Sequence, residues 1–361
     1  RYGFQAMLVF IAAIIAVFAF CRAMAETAWY PWEQEMVPNS IRGKFNAVRS
    51  MISNLCSLAA VLAAGLIIGK TPAMQQFMLV FSIGLVFGWA SVWSTTHIFG
   101  GKPNKEIRFS RDHFRQMGKT FRDRSFIRYL LGEGVFTLTN VQIGVFLPLF
   151  WREQVGLSSG NVIILSTATM TGGILASYLW GWLSDRYGSK PVLLMVVSFS
   201  ALLPFLWLFM PRHSSISFVG ALAASVIQGA ISMGVQITFL RILFISVIPP
   251  QKKASYTAVY YACIGILSGT SQLVGGRLLD LTSNISGRFL FFTLDPFTFL
   301  FLASILFPLI SLVLFSGVRA DSPVTTRQFA GLFLHGNPLR AIVSLLRYRF
   351  AITEPAAVSV A

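Results

Sequence analysis

The sequence predicts an all-α polytopic membrane protein, and three observations predict it. Charged residues make up 12% of the 361-residue chain while the hydrophobic set reaches 55% and mean hydropathy is +0.68. An average soluble domain carries about 25% charge to keep its surface wet. The apolar residues also fall into long runs, each near the roughly 20 residues that a helix needs to cross a hydrocarbon layer of about 30 Å. Finally, a formal charge of +16 is concentrated between the runs, the pattern of basic residues held on one face of a bilayer. Nucleic-acid binding would need a polar chain with its charge on a solvated face, so no nucleic-acid partner is expected.

Nine spans are predicted, at 4–30, 46–69, 74–98, 126–151, 158–183, 189–210, 215–244, 254–275 and 296–317. An odd number puts the chain ends on opposite sides. Basic residues in and beside the connections after the first, third, fifth and seventh spans, with those of the C-terminal tail, number 22 against six on the other face. That bias places the C-terminus in the cytoplasm of a multi-pass protein of the cell membrane, beside anionic headgroups. Cys21, Cys56 and Cys263 lie inside apolar runs and read as small buried hydrophobes, with no disulfide framework. The chain starts at Arg1 without a Met, and Arg1 reads as an arbitrary cut.

The longest polar connection, 99–125, leaves three spans before it and six after. An internal repeat explains the imbalance. VPNSIRGKFNAV at 37–48 aligns with IPPQKKASYTAV at 248–259 at a constant offset of 211. Pro38 meets Pro249, Arg42 meets Lys253, Gly43 meets Ala254, Phe45 meets Tyr256, and Gly65 meets Gly276 in the same register. Two homologous halves account for this, each with the junction between its fourth and fifth helices; a shared loop-to-helix pattern is the plainer account.

The fifth span ends in GWLSDRYGSKPVLL, where Gly181, Asp185, Arg186, Gly188 and Lys190 fit G-x-x-x-D-R-x-G-x-K. This resembles the cytoplasmic signature loop of the major facilitator superfamily, found between helices 2 and 3 and again between helices 8 and 9. WYPWEQEMVPNSIRGKF at 29–45 is similar to the helix 4 to 5 junction of some members. The resemblance implies bundles of that superfamily's type with nine of an expected twelve helices, the first three expected upstream of Arg1. It implies helices 4–6 over 1–98, a basic cytoplasmic loop over 99–125, helices 7–12 over 126–317, and a tail over 318–361 with an amphipathic segment. Arg42 and Gly43, at the repeat of the junction, join the signature residues as a conformational gate. Asp185 is expected to face the helix starting near Ser40 to Lys44 in one state and to leave it in the other.

Ionisable and polar groups within the spans are the candidates for the solute or ion pathway. Arg22 and Glu26 are four apart in the first span, with Glu33 one heptad further, and they either pair to stabilise the bundle or serve transport. Glu133, Thr137 and Asn140 share one face of the fourth span, where they line an aqueous cavity or join packed helices. Gln228, Ser232 and Gln236 repeat on the seventh span, and Tyr261, Gly265, Ser268 and Gln272 on the eighth. Such stripes bind a ligand or let helices approach closely. Ser110 to Phe121 and the segment from Asn337 to Arg347 read as amphipathic helices on the inner membrane surface.

The implied function is transport of a small-molecule solute by alternating access. Coupling to a proton or sodium ion comes from the resemblance alone, and no cofactor is expected. No P-loop is present, and the second span lacks the Gly-Pro-rich motif of the superfamily's drug antiporters. A transporter-like sensor or scaffold shares these features. A membrane enzyme is disfavoured, because His97, His113, His213 and His335 have no ligand spacing and no acidic pair marks a metal site.

Overall fold

The structure, a computed structural model, describes residues 3–37, 42–68, 74–98, 117–214, 216–249, 253–285, 287–289 and 292–318. Among them are nine long helices, one for each expected span. They are α1 (Phe4–Met36), α2 (Arg42–Ile68), α3 (Met74–Thr96), α4 (Arg124–Glu153), α5 (Ser159–Tyr187), α6 (Ser189–Leu208), α7 (Ser217–Arg241), α8 (Lys253–Thr282) and α9 (Thr298–Ser316). Six of them, α3 to α7 and α9, are long and apolar enough to cross a bilayer, while α1 and α2 carry shorter apolar stretches at Val9–Arg22 and Ile52–Ile67. α2 and α8 begin at Arg42 and Lys253, the two residues that the repeat aligns.

The expectation of an all-α chain needs one correction. A two-stranded antiparallel hairpin, β1 (Gly287–Phe289) and β2 (Phe292–Leu294), precedes α9 and pairs Gly287 with Leu294. Its cause is local: where the chain leaves the helices, two three-residue strands satisfy each other's backbone groups.

The chain divides into two compact units, one of Arg1–Phe121 with Pro249–Tyr261 and one of Arg122–Ile248 with Ala262 onward. In the first, α3 has no buried residue, and its Phe81, Leu85, Phe87 and Trp89 are exposed. In a bilayer such faces meet acyl chains rather than water. Cys21 and Cys56 are likewise exposed and Cys263 is half-buried, so the expectation of three buried thiols was wrong. An apolar run in a membrane protein can be satisfied by lipid as well as by a core.

The second unit has a protein core. Asp123 caps α4, its Oδ1 accepting from the backbone N–H of Ser125 at 2.9 Å and of Phe126 at 3.2 Å. Ser158 caps α5 by accepting from Asn161 N–H at 3.2 Å. Gly188 has φ of 90°, a left-handed conformation that suits glycine and lets α6 start one residue after α5 ends. α7 continues as a π-helix over Ile242–Val247 before Pro249 ends it. The main seam is α5 against α7. A Cβ on Gly172 would lie 2.1 Å from the Val226 carbonyl oxygen, and one on Gly229 would lie 1.8 Å from that of Thr169. Glycine alone permits this backbone contact.

Candidate functional site

Two aromatic clusters fill the ends of the second unit. Tyr129 donates to the Phe239 carbonyl at 2.9 Å and packs with Phe239 and Phe315, and Phe136 stacks edge-on against Phe239. Toward the opposite end, Phe150 packs on Phe297 and Phe301, and Phe301 packs on Trp207. Between these clusters α4, α6, α7 and α9 enclose a cavity of about 20 Å³, enough for one water-sized group.

Its polar lining comes from Thr139, Asn140, Ser200, Gln228, Ser232 and Ser304. Asn140 and Ser232 are exposed, so the cavity opens beside them, and it closes at the buried Trp207 and Ser304. The glycine seam sets this arrangement: with Gly229 pressed on α5, its neighbour Gln228 turns about 100° away, with Ser232 one turn further on the same side. Pro204 and Pro308 also line the cavity. Lacking N–H groups, they give no helical bond to the carbonyls four residues earlier, which belong to Ser200 and Ser304. Trp207 Nε1 is buried without a hydrogen-bond partner, a state that costs about 1–3 kcal/mol.

Three sequence-predicted residues, Asn140, Gln228 and Ser232, thus converge from two helices. Others do not join them. Thr137 and Glu133 are buried on α4, but neither lines the cavity. Gly132 and Gly134, flanking Glu133, admit Phe315 and Leu267 so closely that a Cβ would sit 2.8 and 2.7 Å from them. Gln236 and Gln272 are exposed. On α8 the residue engaged with α4 is Ser271, whose hydroxyl donates to the Leu138 carbonyl at 2.6 Å while Gln142 donates to its own carbonyl at 3.0 Å. Tyr261 belongs to the first unit and stacks on Tyr260 at 4.9 Å. Arg22 is exposed on α1. The side chains of Glu26, Glu33, Arg42 and Gly43 lie outside the described residues, as do Ser110 to Gln116 and the segment from Asn337.

At the signature-loop end, Asp185 pairs with Arg241 of α7, which also donates to Ser189 Oγ at 3.1 Å. Sequence reasoning missed Arg241, although its place just after the apolar run of the seventh span was a signal. Gly181 has open space where a Cβ would go. Arg186 lies 5.6 Å from the Trp182 ring and 5.8 Å from the Tyr187 ring. Lys190 donates to the carbonyls of Ser316 and Val318, both at 2.7 Å, and Arg128 donates to that of Gly317 at 3.2 Å. Two cations therefore hold the C-terminal end of α9, where unpaired carbonyls carry partial negative charge. At the far end, Arg212 pairs with Asp295, donates to Gln154 Oε1 at 3.4 Å and lies 5.0 Å from the Phe150 ring centre.

Comparison with known proteins decides the family. The model of the Major Facilitator Superfamily matches residues 130–360, and that of the MFS/sugar transport proteins matches residues 2–243. The chain belongs to the major facilitator superfamily. Membership makes this superfamily protein a multi-pass membrane transporter in type, not an enzyme. Its similarity to curated relatives is distant. Autophagy-related protein 22-2 of Emericella nidulans is 23% identical over 173 residues, 45% of this chain and 28% of that protein. Its counterpart in Aspergillus niger is 23% identical over 217 residues, 57% of this chain and 32% of that protein. Autophagy-related protein 22-1 of Aspergillus terreus is 22% identical over 215 residues, again 57% and 32%. The chain spans about a third of the length of the relatives it matches.

Proposed function

We propose that this superfamily protein moves a small solute across its membrane by ion-coupled alternating access, with the cavity between α4, α6, α7 and α9 as part of the solute path. The observation that carries the reading is the convergence of Asn140, Gln228 and Ser232 on one cavity within a bundle that otherwise packs with apolar and aromatic side chains. Polar groups gathered at mid-height in a membrane bundle cost stability unless something polar passes them.

In this reading the nine helices are helices 4 to 12 of a twelve-helix plan. Residues 1–98 belong to the first half, 126–317 form the second, 99–125 connects them and 318–361 is a tail. Basic connections and the C-terminus face the cytoplasm, where anionic headgroups hold them. Gly181, Asp185, Arg186, Gly188 and Lys190, with Arg42 and Gly43 at the equivalent junction, form the gate, and Arg241 is the partner from which Asp185 must separate as it opens. Glu133 is the carboxyl we assign to proton coupling. Arg22, Glu26, Glu33, Thr137, Gln236, Tyr261 and Gln272 remain candidates for the rest of the path.

The test is flux into vesicles holding the full-length protein, with a panel of one labelled monosaccharide, polyol, amino acid, carboxylate and nucleoside. Saturable, protein-dependent uptake of one class that responds to an imposed proton or sodium gradient is expected. Binding of a panel member without flux would show a sensor instead, and uptake indifferent to both gradients would remove the coupling.

A further inference from the structure

The cavity floor is more specific than its mouth. Trp207 is 2% exposed, and among the described residues it is the cavity-lining side chain with a shielded polar atom that lacks a partner. An indole N–H only donates, so what it meets must accept. Around it Pro204 and Pro308 withhold helical bonds from the Ser200 and Ser304 carbonyls, and both serines line the same space. Carbonyls only accept, so the same occupant must also donate. No Asp, Glu, Lys, Arg or His lines the cavity. A carboxylate reaching the floor would gain the indole donor but oppose two carbonyl dipoles, and an ammonium would gain the carbonyls but oppose the indole hydrogen. Either ion would also lose its hydration without a counter-charge.

We infer that the cavity floor, with Trp207 Nε1–H as donor, receives an uncharged hydroxyl or carboxamide group of the transported solute; the inference rests on the transport reading above. Both groups donate and accept at once, and each fits about 20 Å³. The remainder of the solute extends past Asn140 and Ser232, whose exposed side chains mark the open side. Trp207 is thereby a specificity-determining residue that sequence patterning did not single out, since an aromatic ring in an apolar span reads as core.

The test is a titration of the full-length protein, its tryptophans labelled with ¹⁵N, using acetamide, glycerol, acetate and methylammonium as probes. The indole resonance absent from Trp207→Phe identifies the site. Saturable shifts of that resonance by acetamide and glycerol are expected, at concentrations at least tenfold lower than acetate or methylammonium require. For the labelled solute that passes the flux panel, Trp207→Phe should raise KM about five- to tenfold and leave the maximal rate within twofold. A resonance silent to all four probes, or one that the ions shift as readily as the neutral probes, would overturn the inference. If a solute crosses while the resonance stays silent, this inference fails alone. If the resonance responds and no solute crosses, the neutral-group site stands and transport is what fails.

Discussion

The two ends of the six-helix unit each carry an ion pair, and the pairs are built oppositely. At the far end Arg212 and Asp295 have side chains only 15% and 7% exposed. Asp295 Oδ1 also accepts from the Thr298 hydroxyl at 3.2 Å, and Thr298 Oγ1 accepts from the Asp295 backbone N–H at 3.0 Å. At the signature-loop end Arg241 and Asp185 are 25% and 66% exposed. Removing one partner from a buried pair leaves an uncompensated charge and costs about 3–5 kcal/mol. An exposed pair contributes about 0–1 kcal/mol. The shielded pair therefore suits a permanent clamp between the α6–α7 connection and the start of α9, and the solvated pair suits a contact that is broken in every cycle.

The largest expected effect lies in the seam between these ends. Gly229→Leu would drive a side chain into the Thr169 carbonyl, and loss of folded protein on detergent gel filtration should follow. If this variant eluted as wild type, the seam would not be what aligns the two ends. Next comes Asp295→Ala, which should remove about 3–5 kcal/mol, read as a large fall in thermal midpoint. The double variant Arg212→Met with Asp295→Leu should recover most of that loss, because an apolar pair of similar volume carries no desolvation cost. Failure of the double variant to recover would mean that the Thr298 contacts, not the charges, hold this end.

Lys190→Met should have a middling effect of about 1–3 kcal/mol for the loss of a charged donor to the α9 carbonyls, with Arg128 still holding Gly317. Asp185→Asn should change stability least, by under about 1 kcal/mol, while altering transport rate. Its wild-type contact should also weaken as ionic strength rises, whereas the Arg212–Asp295 clamp should respond little. An Asp185→Asn protein with unchanged rate and unchanged state populations would remove the gate from the proposal and leave two structural pairs.

Much of this arrangement was legible beforehand. Span length and charge bias located every helix, and the G-x-x-x-D-R-x-G-x-K residues marked the turn that Gly188 makes. Helical spacing placed Gln228 and Ser232 on one face, and both do line the cavity. The same rule also put Gln236 on that stripe, and it points elsewhere. Periodicity gives the face of a helix but not how far along that face a neighbour extends. Arg241, Arg212 and Asp295 escaped notice because their partners are 56 and 83 residues away in sequence. Ser271 was passed over for Gln272 because a hydroxyl inside an apolar run carries no visible preference for one neighbouring carbonyl.

By itself the sequence determined that this chain is helical, that it resides in a membrane, and which of its loops share a face. Those properties follow from hydrocarbon thickness, backbone hydrogen bonding and charge, which act on each segment independently. Only the tertiary structure decided that Gly172 and Gly229 bring two backbones together, that Pro204 and Pro308 meet at one cavity, and that Trp207 closes it. Those are relations between helices, fixed by ångström-scale packing, and lipid leaves each helix free to turn until another helix stops it.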